Sequence, residues 1–316
     1  MCQGRPLRLF RILRTLLPLI AIAVASMFPA GARAAAPSTP AGWQQVFMDD
    51  FNGAAGEQPS RLTWGYNLGR AWPGGPLGWG NDEVETYTEA PDNIRFDGEG
   101  NLLIIPLRDA RGNWTSARIQ TLNETFKAPE HGVMRVQARL RLPQVAGDAA
   151  LGYWPAFWML PGASAPLWPG GGEFDIMENV NGLDRHWGVL HCGVRPAGPC
   201  NEMSGIAANQ PCPKVSCQAD FHIYTFEWDR STQPEQLRWY IDGEVFHQVD
   251  QTMLPANTWQ SFAAHQGFLI VLNVAVGGHF PDQLSGRSTP IDATEPGHPF
   301  TIDYVVVWTQ KASTSP

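Results

Sequence analysis

The sequence predicts an all-β protein, and three observations carry that expectation. Of 316 residues, 32 are Gly and 27 are Pro, and that density of turn formers leaves little room for long helices. Apolar and polar residues alternate with a period of two in several separate segments, as they do in half-buried strands. No segment carries a convincing amphipathic helical pattern, and no fixed-period repeat or linker divides the chain. With 43% apolar residues and 13 Trp, the chain also has too much core-forming surface to be disordered.

The predicted strands follow in chain order. In 133–142, Met134, Val136, Ala138, Leu140 and Leu142 share one face, and Arg135, Gln137, Arg139 and Arg141 share the other. In 221–229, His222, Tyr224, Phe226 and Trp228 share a face. Segment 237–247 carries Asp242-Gly243 between two β-rich runs, a strong hairpin signal. Residues 268–276 are almost wholly apolar and read as a central strand covered on both faces. Ile302, Tyr304, Val306 and Trp308 alternate near the C-terminus. Together these predict one β-sandwich over 43–310, preceded by a short linker at 35–42 and followed by a frayed tail at 311–316.

Residues 1–34 read as a signal peptide rather than as part of the fold. Arg5, Arg8, Arg11 and Arg14 precede an apolar stretch from Leu16 to Phe28, and Ala32-Arg33-Ala34 offers a small-x-small cleavage site. The apolar stretch is too short to span a bilayer, so the mature protein is expected to be secreted, extracellular or periplasmic, without a membrane. Residues 1–34 carry five Arg and no acid, so removing them leaves 17 basic against 30 acidic residues. A formal charge of −13 excludes nucleic acid as an expected partner, because that requires a basic face. A monomer is expected.

Four cysteines remain: Cys192, Cys200, Cys212 and Cys217. In an exported chain an even number reads as disulfides. A zinc site is the alternative, but Cys212-x4-Cys217 matches no familiar zinc spacing. Of three pairings, the short loops favour Cys192–Cys200 and Cys212–Cys217.

The chemistry concentrates in Glu173-Phe174-Asp175-Ile176-Met177-Glu178. Acids among core hydrophobes need a reason, because burying unpaired charge is costly. In a regular strand Glu173 and Asp175 share a face and Glu178 has the opposite parity. A β-bulge between Asp175 and Glu178 brings Glu178 back onto that face. Three close carboxylates repel, and at least one is driven to keep its proton. An ionised nucleophile and a protonated acid are what retaining cleavage of a glycosidic bond needs, with the carboxyls about 5–5.5 Å apart. A Ca²⁺ site is the other reading of the same spacing. The surrounding aromatics favour sugar chemistry. Trp154 and Trp158 lie upstream at a spacing that puts both on one strand face, Trp168 runs into Glu173, and His191 follows.

With these residues in view the sequence resembles glycoside hydrolase family 16, in its laminarinase-like branch with the bulged motif E-x-D-x-x-E. Besides GGGEFDIMEN, the resemblance rests on WQQVFMDDF (43–51), NDEVETYT (81–88), GYWPAFWML (152–160), FHIYTFEWD (221–229), NVAVGGHF (273–280) and IDYVVVW (302–308). The resemblance implies a concanavalin A-like β-jelly roll sandwich of two curved antiparallel sheets. It implies Glu173 as nucleophile, Asp175 as assisting carboxylate and Glu178 as acid/base, with Asn81, Glu83, Trp154, Trp158 and His191 lining the cleft. Family members often bind one structural Ca²⁺ away from the acids, which singles out Asp303; no cofactor is expected in catalysis. Two departures stand out. Glu85 replaces the usual Gln of N-x-E-x-Q, and the Cys192–Cys217 insert is long. The expected activity is endo-hydrolysis of β-1,3-glucan or mixed β-1,3/1,4-glucan. The alternatives are another family 16 polysaccharide (agar, carrageenan or galactan), transglycosylation, and a non-catalytic carbohydrate-binding protein.

Overall fold

The computed structural model describes residues 36–311, together with Met1 and Gly4. The chain divides into two compact units, residues 1–34 and 35–316. The expected signal peptide lies outside the described residues apart from Met1 and Gly4, and so does the expected tail beyond Lys311. No helix among the described residues is long and apolar enough to cross a membrane.

The second unit is built from two main antiparallel sheets. One has seven strands in the order Ile206–Gln210, His186–His191, Glu173–Glu178, Tyr153–Pro161, Phe268–Val276, Arg118–Thr121 and Trp64–Tyr66. The other has eight, running from Glu244–Asp250 through Gln236–Ile241, His222–Asp229, Val133–Arg141, Phe300–Gln310 and Leu102–Ile104 to Ile94–Phe96, with Gln44–Asp49 also paired to Phe300–Gln310. This is the expected jelly-roll sandwich.

The core lies between the sheets because alternation delivers one face of each strand to it. Met134, Val136, Ala138 and Leu140 are fully buried, while Arg135 and Arg139 on the opposite face pair with Glu227 and Asp303. From the facing sheet, Phe174 stacks on Phe226 at 4.6 Å between ring centroids and meets Phe268 at the same distance. Phe268–Val276 is buried along its whole length, with a strand paired on each side. The expected hairpin forms at Asp242 (φ +48°) and Gly243 (φ +87°). Two consecutive positive φ angles match the right-handed twist of the flanking strands.

Three details differ from expectation. The register of Phe300–Gln310 shifts between Ile302 and Tyr304, so Ile302, Val305 and Val307 face the main core. Tyr304, Val306 and Trp308 instead pack with Trp43 and Met48 in a separate cluster, and the four alternating residues therefore divide between two faces. Two short helices also occur, Ala256–Ala263 and His279–Ser285. Finally, the Asp303 carboxylate is buried and held by the Arg139 guanidinium at 2.7 Å. Among the described residues no group of three His, Cys, Asp or Glu side chains able to hold an ion includes it. The guanidinium against the carboxylate already offsets its charge, which counts against a calcium site built on Asp303.

The Phe174 packing generates one prediction. Replacing a buried Phe by Ala costs about 3–5 kcal/mol, and a domain of this size loses roughly 2–4 °C of Tm per kcal/mol. Phe174→Ala should lower the melting temperature by about 10 °C in calorimetry. A fall of only a degree or two would show that the two sheets are not clamped together here.

Candidate active site

The acid strand Glu173–Glu178 lies between Tyr153–Pro161 and His186–His191. Along Tyr153–Pro161, Asp175 sits opposite Trp158, Met177 opposite Phe157 and Glu178 opposite Ala156, so Ile176 is extra. The register to His186–His191 shifts in the same place. Ile176 and Met177 both enter the core, and this returns Glu178 to the face of Glu173 and Asp175, as the parity argument requires. Trp239, from the other sheet, reaches across the core to donate its indole N–H to the Asp175 carbonyl at 2.8 Å. Gly188 lies beside this crossing. A Cβ there would stand 2.8 Å from Trp239 Cδ1 and from the Phe246 ring, so the strand opposite the bulge needs a residue without a side chain.

Each acid has its own partner. Trp154 Nε1 donates to Glu178 Oε1 at 2.8 Å, and Trp168 Nε1 donates to Glu173 Oε2 at 2.9 Å. His191 Nε2 lies 3.4 Å from Asp175 Oδ2, and its Nδ1 lies 2.8 Å from Glu202 Oε2. Asp175 and Glu178 are buried, whereas Glu173 keeps partial exposure.

Burial raises all three acids above the ordinary carboxyl range. Glu178 is pushed up to about 7 by burial, against the Trp154 hydrogen bond and the His191 charge. Asp175 is driven well above its ordinary value by burial and by Glu173 and Glu178 on either side. Glu173 is also raised by burial, but His191, the Trp168 indole and Arg118 all pull it back down. Arg118 is the lowering influence that Glu173 has and Glu178 lacks. Burial acts to lower His191, yet the Glu202 hydrogen bond and the charges of Asp175 and Glu173 overcome it and raise the ring to about 10. Glu173, Asp175 and His191 do bring potential ligand atoms within 4.8 Å of one another. Calcium takes oxygen ligands, so a trio in which one of the three is an imidazole counts against the calcium reading of this cluster.

The expected cleft residues form a second chain of contacts. Trp158 Nε1 donates to Asn273 Oδ1 at 2.7 Å, Asn273 Nδ2 reaches the Tyr87 hydroxyl at 3.0 Å, and that hydroxyl donates to Glu83 Oε2 at 3.0 Å. Asn81 Nδ2 completes the chain at 3.1 Å from Glu83 Oε1. Glu85 lies wholly buried behind this chain and accepts the Val276 N–H at 2.7 Å. Burial and the nearby Glu83 charge drive Glu85 well above the ordinary range. A protonated carboxyl presents an oxygen to that N–H as an amide would, so the departure from Gln is absorbed inside the wall.

Of the eight expected site residues, Trp158, Glu83 and Asn81 thus share one hydrogen-bonded chain, while Glu173, Asp175, Glu178, Trp154 and His191 meet at the acid strand. Both expected disulfides form, Cys192–Cys200 and Cys212–Cys217. Sequence reasoning missed Arg118, whose guanidinium lies over Trp79 at 4.5 Å and over Trp158 at 4.8 Å. It also missed Tyr87, Asn273 and the role of Trp168. Glu202 had a signal, being the only acid in the Cys192–Cys217 insert.

Comparison with known proteins agrees with this geometry. The family model described as glycosyl hydrolases family 16 matches residues 82–309. A β-glucanase of Rhodothermus marinus is 30% identical over 277 residues, covering 84% of this chain and 85% of the relative. A glucan endo-1,3-β-glucosidase of Cryptopygus antarcticus is 30% identical, covering 84% and 92%. The crystal structure of an endo-1,3-β-glucanase from Streptomyces sioyaensis superposes with a TM-score of 0.85 at 50% identity, covering 88% of this chain and all of that one. With that match, on a jelly roll that gathers Glu173, Asp175 and Glu178 on one strand face, the chain belongs to glycoside hydrolase family 16.

Proposed function

We propose that this protein is an exported, monomeric endo-β-1,3-glucanase that works by double displacement with retention. The observation that carries this reading is the bulge at Ile176, which puts Glu178 on the face of Glu173, each with an indole N–H on one oxygen. Relatives named as β-glucanase and endo-1,3-β-glucanase support the substrate class. In the first step the Glu173 carboxylate attacks the anomeric carbon while the glycosidic C–O bond breaks. Glu178 gives its proton to the departing sugar oxygen. In the second step water attacks the same carbon, Glu178 takes the water proton, and Glu173 leaves as a carboxylate. Asp175, wedged between the two and driven well above the ordinary carboxyl range by burial and by both neighbours, limits the charge that Glu173 must share its surroundings with. Trp158 and Trp154 offer flat apolar faces to the sugar C–H surfaces.

Laminarin, lichenan, agarose, carrageenan and xylan, with products sized by chromatography, test the substrate class. Laminarin should be cut to oligomers whose new reducing ends appear first as the β anomer in NMR. An α signal appearing first would falsify the mechanism, and cleavage of a galactan in place of laminarin would sink the substrate class.

The two glutamates separate by rescue. Glu178→Ala should be nearly inactive on laminarin yet form the glycosyl-enzyme from a nitrophenyl glucan, because nitrophenolate leaves without a proton. Azide, which needs no base, should then speed turnover and give a β-glycosyl azide. Glu173→Ala should give the α azide instead, by attack from the vacated side. The reverse pair of anomers would exchange the two roles.

The pH profile follows from the raised carboxyls. Glu178 must be protonated in the first step and loses its proton near 7, so kcat/KM should fall as pH rises through about 7. Glu173 must be ionised, so kcat/KM should fall on the acid side as well. In Glu178→Gln with a nitrophenyl substrate the alkaline limb should vanish from the glycosylation rate. A limb that persisted unchanged would assign it to another group.

A further inference from the structure

Glu202 is a buried acid that the mechanism above does not use. Its side chain is 0% exposed, and a carboxylate so placed is costly unless both oxygens are bound. Both are. Oε2 lies 2.8 Å from His191 Nδ1, and Oε1 accepts the Cys192 N–H at 2.8 Å. The other ring nitrogen of His191 faces Asp175, so Glu202, His191 and Asp175 form one continuous line from the insert into the acid cluster.

The insert is built to keep Glu202 in place. The Cys192–Cys200 bridge closes the loop two residues before it, and Ala197 and Glu202 exchange both backbone hydrogen bonds across that loop. Cys192 and Cys200 are fully buried. Just beyond, Gly205 lets the chain lie against the ring, since a Cβ there would stand 3.1 Å from His191 Cε1 and 2.4 Å from Val189 Cγ1. The groups facing His191 are Glu173, Asp175 and Glu178 from the acid strand, Glu202 from the loop, and the Trp168 ring at 5.8 Å with Arg195 over that ring. Of these acids, Glu173 and Glu178 change charge in the proposed chemistry, and Asp175 lies between them. Glu202 is the carboxylate outside that chemistry, and it binds the ring from the far side.

We propose that Glu202 is a positioning residue for the hydrolytic reaction, held by the Cys192–Cys200 loop so that it fixes the His191 ring and its positive charge against Asp175. This rests on reading the three acids as the reacting groups. Fixing Nδ1 settles which way the ring faces and which nitrogen meets Asp175, as a second partner does for other working imidazoles. A purely structural role, satisfying the Cys192 N–H, would leave the ring's charge untouched.

Glu202→Gln separates the two, because the amide oxygen keeps the Cys192 bond and loses the negative charge. The expected result is a fall in kcat on laminarin of about 10- to 100-fold, the range seen when second partners of metal-bound imidazoles are removed, with KM little changed. In NMR of ring-labelled histidine, His191 of the unaltered protein should keep both protons up to about 10. In Glu202→Gln it should titrate nearer the ordinary histidine range of about 6.5. In a His191→Gln background, Glu202→Gln should add no further loss, since residues acting through one partner are non-additive. An unchanged His191 titration, or a loss that adds fully in that background, would overturn the proposal. Should Glu202→Gln fail to fold, the Cys192→Ala, Cys200→Ala double variant frees the loop and leaves the carboxylate in place. There kcat should fall and the His191 titration should drop, and no change in either would equally overturn it. The NMR arm needs no turnover, so a protein inactive on laminarin would refute the proposed activity while leaving the Glu202–His191 coupling separately measurable.

Discussion

A strand alternates its side chains, so positions 173, 175 and 178 share a face only if one residue between the last two is taken out of the alternation. Ile176 is that residue, and the rest of the site depends on it. The bulge sends two consecutive apolar side chains, Ile176 and Met177, into the core, so the hydrophobic effect that closes the sandwich also holds the distortion. Trp239 meets the Asp175 carbonyl from the opposite sheet, and Gly188 leaves it room to pass. The constraint therefore reaches through the core to a strand that never touches substrate.

The electrostatics follow from the same placement. Three buried carboxyls side by side are unfavourable when charged, and the fold bears that cost. In the folded protein Glu178 keeps its proton up to about 7, whereas a carboxyl in the unfolded chain loses it near 4.3. The folded state thus binds more protons across that interval, and by linkage its stability is lost as pH rises from the lower value to the higher one. Near neutral pH the acid cluster opposes folding, and it holds a proton on Glu178 that the proposed mechanism would use. His191 offsets part of that cost by bringing a positive charge to the face of the cluster, and its own charge depends on Glu202.

Much of this was legible in the sequence where the signal was local. The parity conflict at Glu178 predicted the bulge, Asp242-Gly243 predicted the hairpin, and alternation over 133–142 predicted which side chains reach the core. Legibility failed where the deciding partner lay far along the chain. Between Phe300 and Gln310 nearly every residue is buried on either face, so composition gave no sign of the register shift beside Asp303, and the guanidinium that pairs with Asp303 comes from position 139. The helix Ala256–Ala263 has no side-chain cap and is too short for its pattern to stand out. Arg118, Tyr87 and Asn273 belong to the cleft wall through contacts that span up to 186 residues, and nothing in their neighbours announces it.

The tryptophans show why the chemistry and the architecture cannot be separated here. An indole N–H donates one hydrogen bond, never accepts one and does not titrate near neutral pH. Placed on Oε1 of Glu178 and Oε2 of Glu173, it occupies one oxygen of each carboxyl without bringing a second titrating group. A serine, histidine or lysine in the same place would bring a second acceptor, a second titration or a full charge. Trp158 is a fixed donor to the Asn273 amide oxygen, and Trp239 to the backbone of the bulge. Four large rings thus provide packing area and fixed donors together. On the proposed reading of the acids, each indole leaves one defined oxygen of its glutamate open.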